Sequence, residues 1–423
     1  MDTIVALSSG RLPAAIAVVR VSGPQALAVA TALTGSLPPA RRASLRSLRD
    51  RAGALLDRGL VLVFPGPNSA TGEDLVELHC HGGRAVTAAV LAALKEQGAR
   101  AATPGEFTRR ALMNGRIDLA QAEGLADLLE AETQAQRRAA LQASEGRVSA
   151  AVRGWLHMIA GLAAQVEASL DYAEEGDVGE EAALLDRVRA DATALRDEML
   201  AVLAAPPVER VRDGVRVVIG GPPNSGKSTL LNLLSEREAA IVSPVSGTTR
   251  DRIEVPVQRE GVAYLLTDTA GLTETADPIE AIGVALAGDA IAAADVLVWL
   301  ADAPPPRADA LWIRARADLP GREDLPEGRV LAVRHDDTAT VDALWALIAA
   351  RAGALLPTVD DLPLRAKQRA ACIAAAGELV LVDDPLIAAE QLRVAARLLG
   401  SVLGVDATEA MLDALFGRFC LGK

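Results

Sequence analysis

Val215-Arg216-Val217-Val218-Ile219, followed after one residue by Gly221-Pro222-Pro223-Asn224-Ser225-Gly226-Lys227-Ser228, is the stretch that decides the fold. The first five residues form a β-branched run of the kind that makes a buried parallel strand. Thr229 to Ser235, on the far side, has Leu-rich helical spacing. The eight residues between them fit G-x-x-x-x-G-K-[ST] in the strand, loop and helix setting that pattern requires. The chemistry follows from the geometry. Glycines let the N–H groups of Asn224, Ser225, Gly226 and the helix start at Lys227, Ser228 and Thr229 curl round a phosphate, to which the helix N-terminus adds its dipole. Lys227 neutralises terminal phosphate charge, and the Ser228 hydroxyl reaches Mg²⁺.

Further elements follow in the order a nucleotide switch needs. Gly247-Thr248-Thr249-Arg250-Asp251 places threonine hydroxyls in a Gly-flanked segment suited to closing over Mg²⁺ and the terminal phosphate. Val262-Ala263-Tyr264-Leu265-Leu266 reads as a strand delivering Asp268-Thr269-Ala270-Gly271, whose carboxylate holds Mg²⁺ through water and whose glycine N–H senses the γ-phosphate. Leu272 follows, where many signalling GTPases carry a water-orienting Gln, so another residue must position the attacking water. Guanine is usually read by Asn-Lys-x-Asp. Here Ala310-Leu311-Trp312-Ile313-Arg314 leads to Ala315-Arg316-Ala317-Asp318, so Asp318 is the candidate base reader while Ala and Arg stand in the Asn and Lys places. Asp318 as a loop cap is the alternative, and Val333-Arg334-His335-Asp336 stands where a second base-contacting loop is expected.

The chain has 423 residues, enough for two or three domains with substantial cores. Its 43 Lys+Arg against 56 Asp+Glu give a net charge of −13, which excludes a global basic field for gathering nucleic acid. Aromatics at 2% argue against a single-strand binder that stacks bases. Cys80, Cys372 and Cys420 are too scattered for a disulfide framework and fit a reducing compartment. No apolar run of membrane length and no export signal is visible, so a soluble cytoplasmic protein is expected.

Residues 1 to about 117 read as mixed α/β, with strands at Thr3 to Leu7, Ala15 to Val21 and Gly59 to Phe64, then a turn at Pro65-Gly66-Pro67-Asn68-Ser69. Asp74 to His81 alternates as a half-buried strand, which puts Glu77, His79 and His81 on one face. Two imidazoles on one face could share a zinc ion, but no further ligands are nameable and a hydrogen-bonded strand end is the preferred reading. From Asp118 the texture becomes long Ala/Leu/Glu-rich helices reaching Glu167. An acidic stretch from Asp171 to Glu181 reads as a solvated face or turn, and a further helix covers about Asp186 to Ala204. Helical periodicity resumes after Leu356-Pro357, with a break at Asp383-Asp384-Pro385. Helical sequence on both sides of a self-contained α/β unit suggests that the unit is inserted into a helical domain.

Several stretches, in one order over essentially the whole chain, resemble the MnmE (TrmE) family of tRNA-modification GTPases. They are Val19 to Pro24, Thr71-Gly72-Glu73-Asp74, Glu77 to Gly83, Pro104 to Ala111, Ile117 to Glu123, the switch motifs, and Phe419-Cys420-Leu421-Gly422-Lys423. The resemblance implies a multidomain fold, part α/β and part all-α. An N-terminal α/β domain over 1–117 would dimerise and bind tetrahydrofolate. A helical-bundle domain would be built from 118–211 and 357–423, with a Ras-like P-loop GTPase domain over 212–356 inserted in it.

By the same resemblance, 5,10-methylene-tetrahydrofolate, or its analogue 5-formyl-tetrahydrofolate, would be held by Arg20, Glu77, Arg116 and Lys423. Arg and Lys can pair glutamyl carboxylates, and Glu77 can accept from pterin donors. Arg116 stands where the family commonly has Lys. K⁺ would be bound by Asn224, Ser243, Val245 and Thr248, while Ser228 and Thr249 ligate Mg²⁺. Glu280 matches the glutamate that orients the attacking water and fills the place left by Leu272. With Lys227 it forms the expected catalytic pair. Cys420 falls near the folate as a thiol of catalytic or structural use. The implied function is GTP-driven modification of the C5 position of the wobble uridine in certain tRNAs, installing an aminomethyl or carboxymethylaminomethyl group. The protein would act as a homodimer with an FAD-containing partner, MnmG (GidA), and without a membrane. A regulatory GTPase switch or scaffold with no direct part in modification is the alternative.

Overall fold

The structure, a computed structural model, describes residues 2–172, 178–236, 239–240, 254–269, 288–322, 324–419 and 422. The chain forms two compact units. One comprises Met1–Ala126, Ser144–Leu156 and Leu399–Lys423, the other Asp127–Ala143 and His157–Leu398.

The first unit is built on a six-stranded sheet of order β3-β4-β5-β2-β1-β6. Its strands are β1 (Ile4–Leu7), β2 (Ile16–Ser22), β3 (Ser44–Arg49), β4 (Leu55–Phe64), β5 (Leu75–His81) and β6 (Arg100–Ala101). All neighbours pair antiparallel except β1 with β6. Helices α1 (Ala26–Thr34) and α2 (Arg84–Glu96) cover one face. There Val29, Ala30 and Leu33 of α1 and Val90, Ala93 and Leu94 of α2 enclose a core with Val19, Val21, Val61, Val63, Val76, Leu78 and Cys80. Period-two alternation then fixes what the other face carries: Val18 and Arg20 from β2, Leu62 and Phe64 from β4, Glu77 and His79 from β5, all half-buried. Strand register sets Glu77 directly between Arg20 and Leu62, and His79 between Val18 and Leu60. The expected strands are therefore present, and β3 and β6 are additions. The unit continues with α3 (Glu106–Met113), α4 (Leu119–Glu130) as far as Ala126 and, near the chain end, α13 (Glu409–Phe416). Leu119, Ala122, Leu415, Phe416 and Phe419 form a separate small core.

In the second unit a seven-stranded sheet has the order β13-β12-β11-β7-β10-β9-β8. Its members are β7 (Val215–Gly220), β8 (Ala239–Ala240), β9 (Glu254–Arg259), β10 (Val262–Asp268), β11 (Val296–Trp299), β12 (Leu311–Arg314) and β13 (Leu331–Ala332). Strands β7, β10, β11, β12 and β13 are parallel, while β9 runs antiparallel to β10 and β8 to β9. Strand β7 lies between β10 and β11, so the chain order reverses there and a crevice opens at its carboxyl end. The core below it is apolar. Leu230, Leu231 and Leu234 of α9 (Lys227–Ser235) pack with Val341, Leu344 and Ile348 of α10 (Thr338–Gly353). Trp345, fully buried, meets Tyr264 edge-on with ring centroids 5.2 Å apart.

Helices flank this sheet in sequence: α5 (Gln134–Ser144), α6 (Arg147–Tyr172), α7 (Val178–Leu203) and α8 (Glu209–Asp213) precede it, α11 (Ala366–Glu378) and α12 (Pro385–Leu403) follow. Val188, Ala192, Leu195 and Met199 recur at helical spacing on α7 and are buried, as are Cys372, Ala375 and Ala376 on α11, against which α7 packs. The two passages of chain bordering the sheet meet each other. The Val208 N–H donates to the Leu364 carbonyl at 3.0 Å, and the Ala366 N–H donates to Glu209 Oε1 at 2.6 Å. The break expected at Asp383-Asp384-Pro385 separates α11 from α12. Among the described residues no helix is long and apolar enough to cross a membrane.

Candidate functional site

Strand β7 ends in Gly220, and the chain turns through Gly221 to Gly226 before α9 starts at Lys227. Gly221 (φ +152°) and Gly226 (φ +96°) hold conformations that other residues rarely adopt. A Cβ on Gly221 would sit 2.9 Å from Ser225 Oγ. The loop is thus a cradle only glycine can make. Among the described residues no side chain caps the start of α9, which leaves its first N–H groups open to a ligand. Lys227 is 5% exposed, and its Nζ donates to the Pro222 carbonyl at 2.9 Å, across the mouth of the loop. Ser225 Oγ is buried without a hydrogen-bond partner among the described residues, a donor open to a ligand in the loop.

Strand β10 brings Asp268 to the same place. Asp268 is 2% exposed, and the Ser228 hydroxyl donates to its Oδ2 at 2.5 Å. The next residue, Thr269, is tied to the end of β7: its N–H and its Oγ1–H both reach the Ile219 carbonyl, at 3.3 and 3.1 Å. A buried carboxylate, the exposed Ser228 hydroxyl and a buried ammonium therefore converge on one loop, the donor set that a magnesium-bound polyphosphate requires. The residues present fit that group.

Strand β12 delivers the segment expected from the sequence to read the base. Arg316, at φ +58°, lays its stem over Gly226, and its guanidinium donates to the Asn224 carbonyl at 2.9 Å. It thereby makes the tie between base loop and phosphate loop. Ala315 and Ala317 are buried, and Asp318 Oδ1 accepts the His335 N–H at 3.3 Å, so the loop after β13 does stand beside Asp318. The arginine tie is a feature that sequence reading missed. Its signal was the long cation two residues before Asp318.

Of the candidate residues on the first unit, Glu77 is bonded to Arg20 and shares a cavity lining with Arg116. Arg20 Nε donates to Glu77 Oε1 at 2.8 Å, and His79 Nε2 lies 3.2 Å from Glu77 Oε2. Burial would raise the Glu77 pKa, but the hydrogen bond from His79 and the charge and hydrogen bond of Arg20 outweigh it, so the carboxyl is held below its ordinary value. Glu77 and Arg116 line one cavity of about 360 Å³, together with Arg41, Phe64, Asn68, Ser69, Ala70 and Leu75. The Arg116 guanidinium has no hydrogen-bond or ion-pair partner among the described residues. Phe64 and Arg41 were not anticipated, although the alternation of Gly59 to Phe64 places Phe64 on the Glu77 face. His81 belongs to a different arrangement: its backbone N–H and its Nδ1 both pair with Asp57, each at 2.8 Å. Among the described residues no group of three metal-ligating side chains occurs.

Ser243, Val245, Thr248, Thr249, Ala270, Gly271, Glu280, Cys420 and Lys423 lie outside the described residues.

Comparison with known proteins gives a consistent result. Residues 3–116 match the model of the GTP-binding protein TrmE N-terminus, and residues 119–420 match that of the MnmE helical domain. The chain is 53% identical over 430 residues to the tRNA modification GTPase MnmE of Rhizorhabdus wittichii, covering 100% of this chain and 97% of that protein. It is 50% identical to the protein of the same description in Erythrobacter litoralis, with 100% of both chains covered. For that of Azorhizobium caulinodans the identity is 49%, over 100% of this chain and 99% of the other.

Proposed function

The chain belongs to the MnmE family of tRNA modification GTPases. From that premise we propose that it hydrolyses GTP at the β7–α9 loop to drive modification of the wobble uridine of certain tRNAs at C5. The observation that carries the reading is the convergence of Lys227, Ser228 and Asp268, with the Ser228 to Asp268 bond at 2.5 Å.

In this reading the N–H groups from Asn224 to Thr229 wrap the phosphates, and Lys227 moves from the Pro222 carbonyl onto the terminal phosphates. Asp318 accepts from the guanine N–H donors, and Arg316 holds the base loop against the phosphate loop. Thr269, Ala270 and Gly271 carry the turn that registers the γ-phosphate. Glu280 orients the attacking water, because Leu272 cannot. Ser228 and Thr249 would hold Mg²⁺, which neutralises charge on the phosphate oxygens when bound. Asn224, Ser243, Val245 and Thr248 would hold K⁺, which supplies the positive charge given elsewhere by an arginine finger.

The proposed organisation assigns 1–117 to folate binding and dimerisation, 118–211 and 357–423 to the helical domain, and 212–356 to the GTPase domain. The open face of the six-stranded sheet, with Ile16 57% and Leu60 42% exposed, supports pairing with a second copy of the chain. Arg20, Glu77, Arg116 and Lys423 would bind the tetrahydrofolate that supplies a one-carbon unit, with Cys420 near it. The flavoprotein MnmG, carrying FAD, would be the partner in the cytoplasm, and aminomethyl or carboxymethylaminomethyl uridine the product.

Two measurements test this. GTP and ATP hydrolysis by the purified protein are compared in KCl and NaCl, and turnover specific to GTP and faster in KCl is expected. Nucleoside analysis of tRNA from cells lacking the protein should show loss of the C5 wobble modification. Retained modification would overturn the tRNA assignment.

A further inference from the structure

The cavity on the first unit contains more chemistry than the folate residues named above. Glu77 is acceptor-only and is held charged by Arg20 and His79, so it suits a ring that presents adjacent N–H donors. Phe64, half-buried at the end of β4, supplies an aromatic face beside it. The Arg41 guanidinium lies over that ring, 5.5 Å from its centroid, and donates to the Asn68 carbonyl. Arg41 is also fixed at its main chain: it sits at φ +61°, and its N–H donates to the Val63 carbonyl at 2.8 Å, one residue before Phe64. Its exposed side chain is thereby anchored at the cavity by its own backbone. Arg116 provides a second guanidinium on the same lining. Two cations, one carboxylate and an aromatic ring describe a ligand with a donor-rich ring, an aryl middle and an anionic tail.

We propose that Arg41 and Phe64 form a clamp in which Phe64 stacks on the aryl portion of the bound tetrahydrofolate and Arg41 pairs with a carboxylate of its glutamyl tail. This makes Arg41, beside Arg116, a residue that distinguishes a charged from a neutral tail. The inference rests on the folate reading of this cavity.

Full-length protein is titrated calorimetrically with 5-formyl-tetrahydrofolate and with its diamide, in which both tail carboxylates are neutral. Arg41→Ala is expected to weaken the carboxylate ligand about tenfold and the diamide less than about twofold, because only a charge-assisted bond is removed. Arg41→Lys should restore part of the difference, and Phe64→Leu should weaken both ligands alike. Thermal unfolding midpoints equal to that of the unsubstituted protein show that each variant is folded. An Arg41→Ala variant that binds both ligands as the unsubstituted protein does, or loses both by one factor, overturns the clamp. If Glu77→Gln weakens binding in that same experiment, the folate reading survives the loss of the clamp. If the unsubstituted protein binds neither ligand, the folate reading fails and the clamp with it.

Discussion

Ser228 and Asp268, forty residues apart in sequence, are joined by a 2.5 Å hydrogen bond at the carboxyl end of the parallel sheet. The helix after β7 contributes the hydroxyl and the end of β10 the carboxylate, so the bond exists only because β7 and β10 are neighbours in register. Ser228→Ala should therefore lower GTP turnover on the order of a hundredfold, with a raised Mg²⁺ requirement. Hydrolysis measured across a Mg²⁺ series checks this, and an unchanged Mg²⁺ dependence would contradict it.

Arg316 bridges two loops through the Asn224 carbonyl, a charge-assisted bond to a neutral acceptor. Arg316→Ala should cost about 1.5 kcal/mol of nucleotide affinity, about tenfold, and equally for GTP and GDP, since the tie does not touch the γ-phosphate. Titration with fluorescent analogues of both nucleotides gives the ratio. A loss confined to GTP would move Arg316 into the γ-phosphate machinery.

Leu272 cannot orient water, and Glu280 is the proposed substitute. Glu280→Ala should slow hydrolysis by at least about a hundredfold while nucleotide affinity stays within about twofold. Single-turnover hydrolysis together with equilibrium binding separates the two effects. Undiminished turnover would refute the assignment.

Glu106 is bonded to Arg100 at 2.7 Å, to the Thr103 N–H at 2.9 Å and to Arg110 at 3.1 Å. Burial works to raise its pKa. The Arg100, Thr103 and Arg110 contacts outweigh that and bring the pKa from 4.5 down to about 2. A depressed carboxyl contributes its stability in full above the ordinary value and loses it as pH falls through the folded one. Urea midpoints should fall between pH 4.5 and about 2, and more shallowly in Glu106→Gln. Parallel slopes would show that Glu106 plays no part in the acid transition.

Burial pushes both the Cys80 and the Cys372 thiol up to about 12, Asp57 adding to the effect at Cys80. In native protein at neutral pH, iodoacetamide should leave both unmodified, and denaturation should expose them. Peptide mass spectrometry after timed labelling reports each site separately.

The phosphate loop and its flanks could be read from the chain because a β-branched run, a glycine cradle and a Leu-rich helix are adjacent in sequence, and local geometry alone couples them. Glu77, His79 and His81 could be put on one face for the same reason, since alternation needs no partner. Strand β11 was not legible: its four residues are an apolar run that periodicity cannot separate from the Ala-rich helical sequence before it. The bond from Arg316 to Asn224 and the placing of Arg41 over Phe64 were hidden for a different reason. Each joins residues far apart in the chain, and only the sheet order brings them together. The family resemblance supplied Arg20 and Arg116 where residue chemistry could offer only their charge.

The main-chain bond between Val208 and Leu364 bears on how this chain reaches its native state. Everything from one to the other is a ring pinched shut at its neck, so pairing the bundle helices α7 and α11 carries the entropy cost of closing that ring. Collapse of the P-loop layer would pay the entropy of closure in advance. Sequence changes that slow this collapse should delay assembly of the surrounding bundle, although they touch none of its residues.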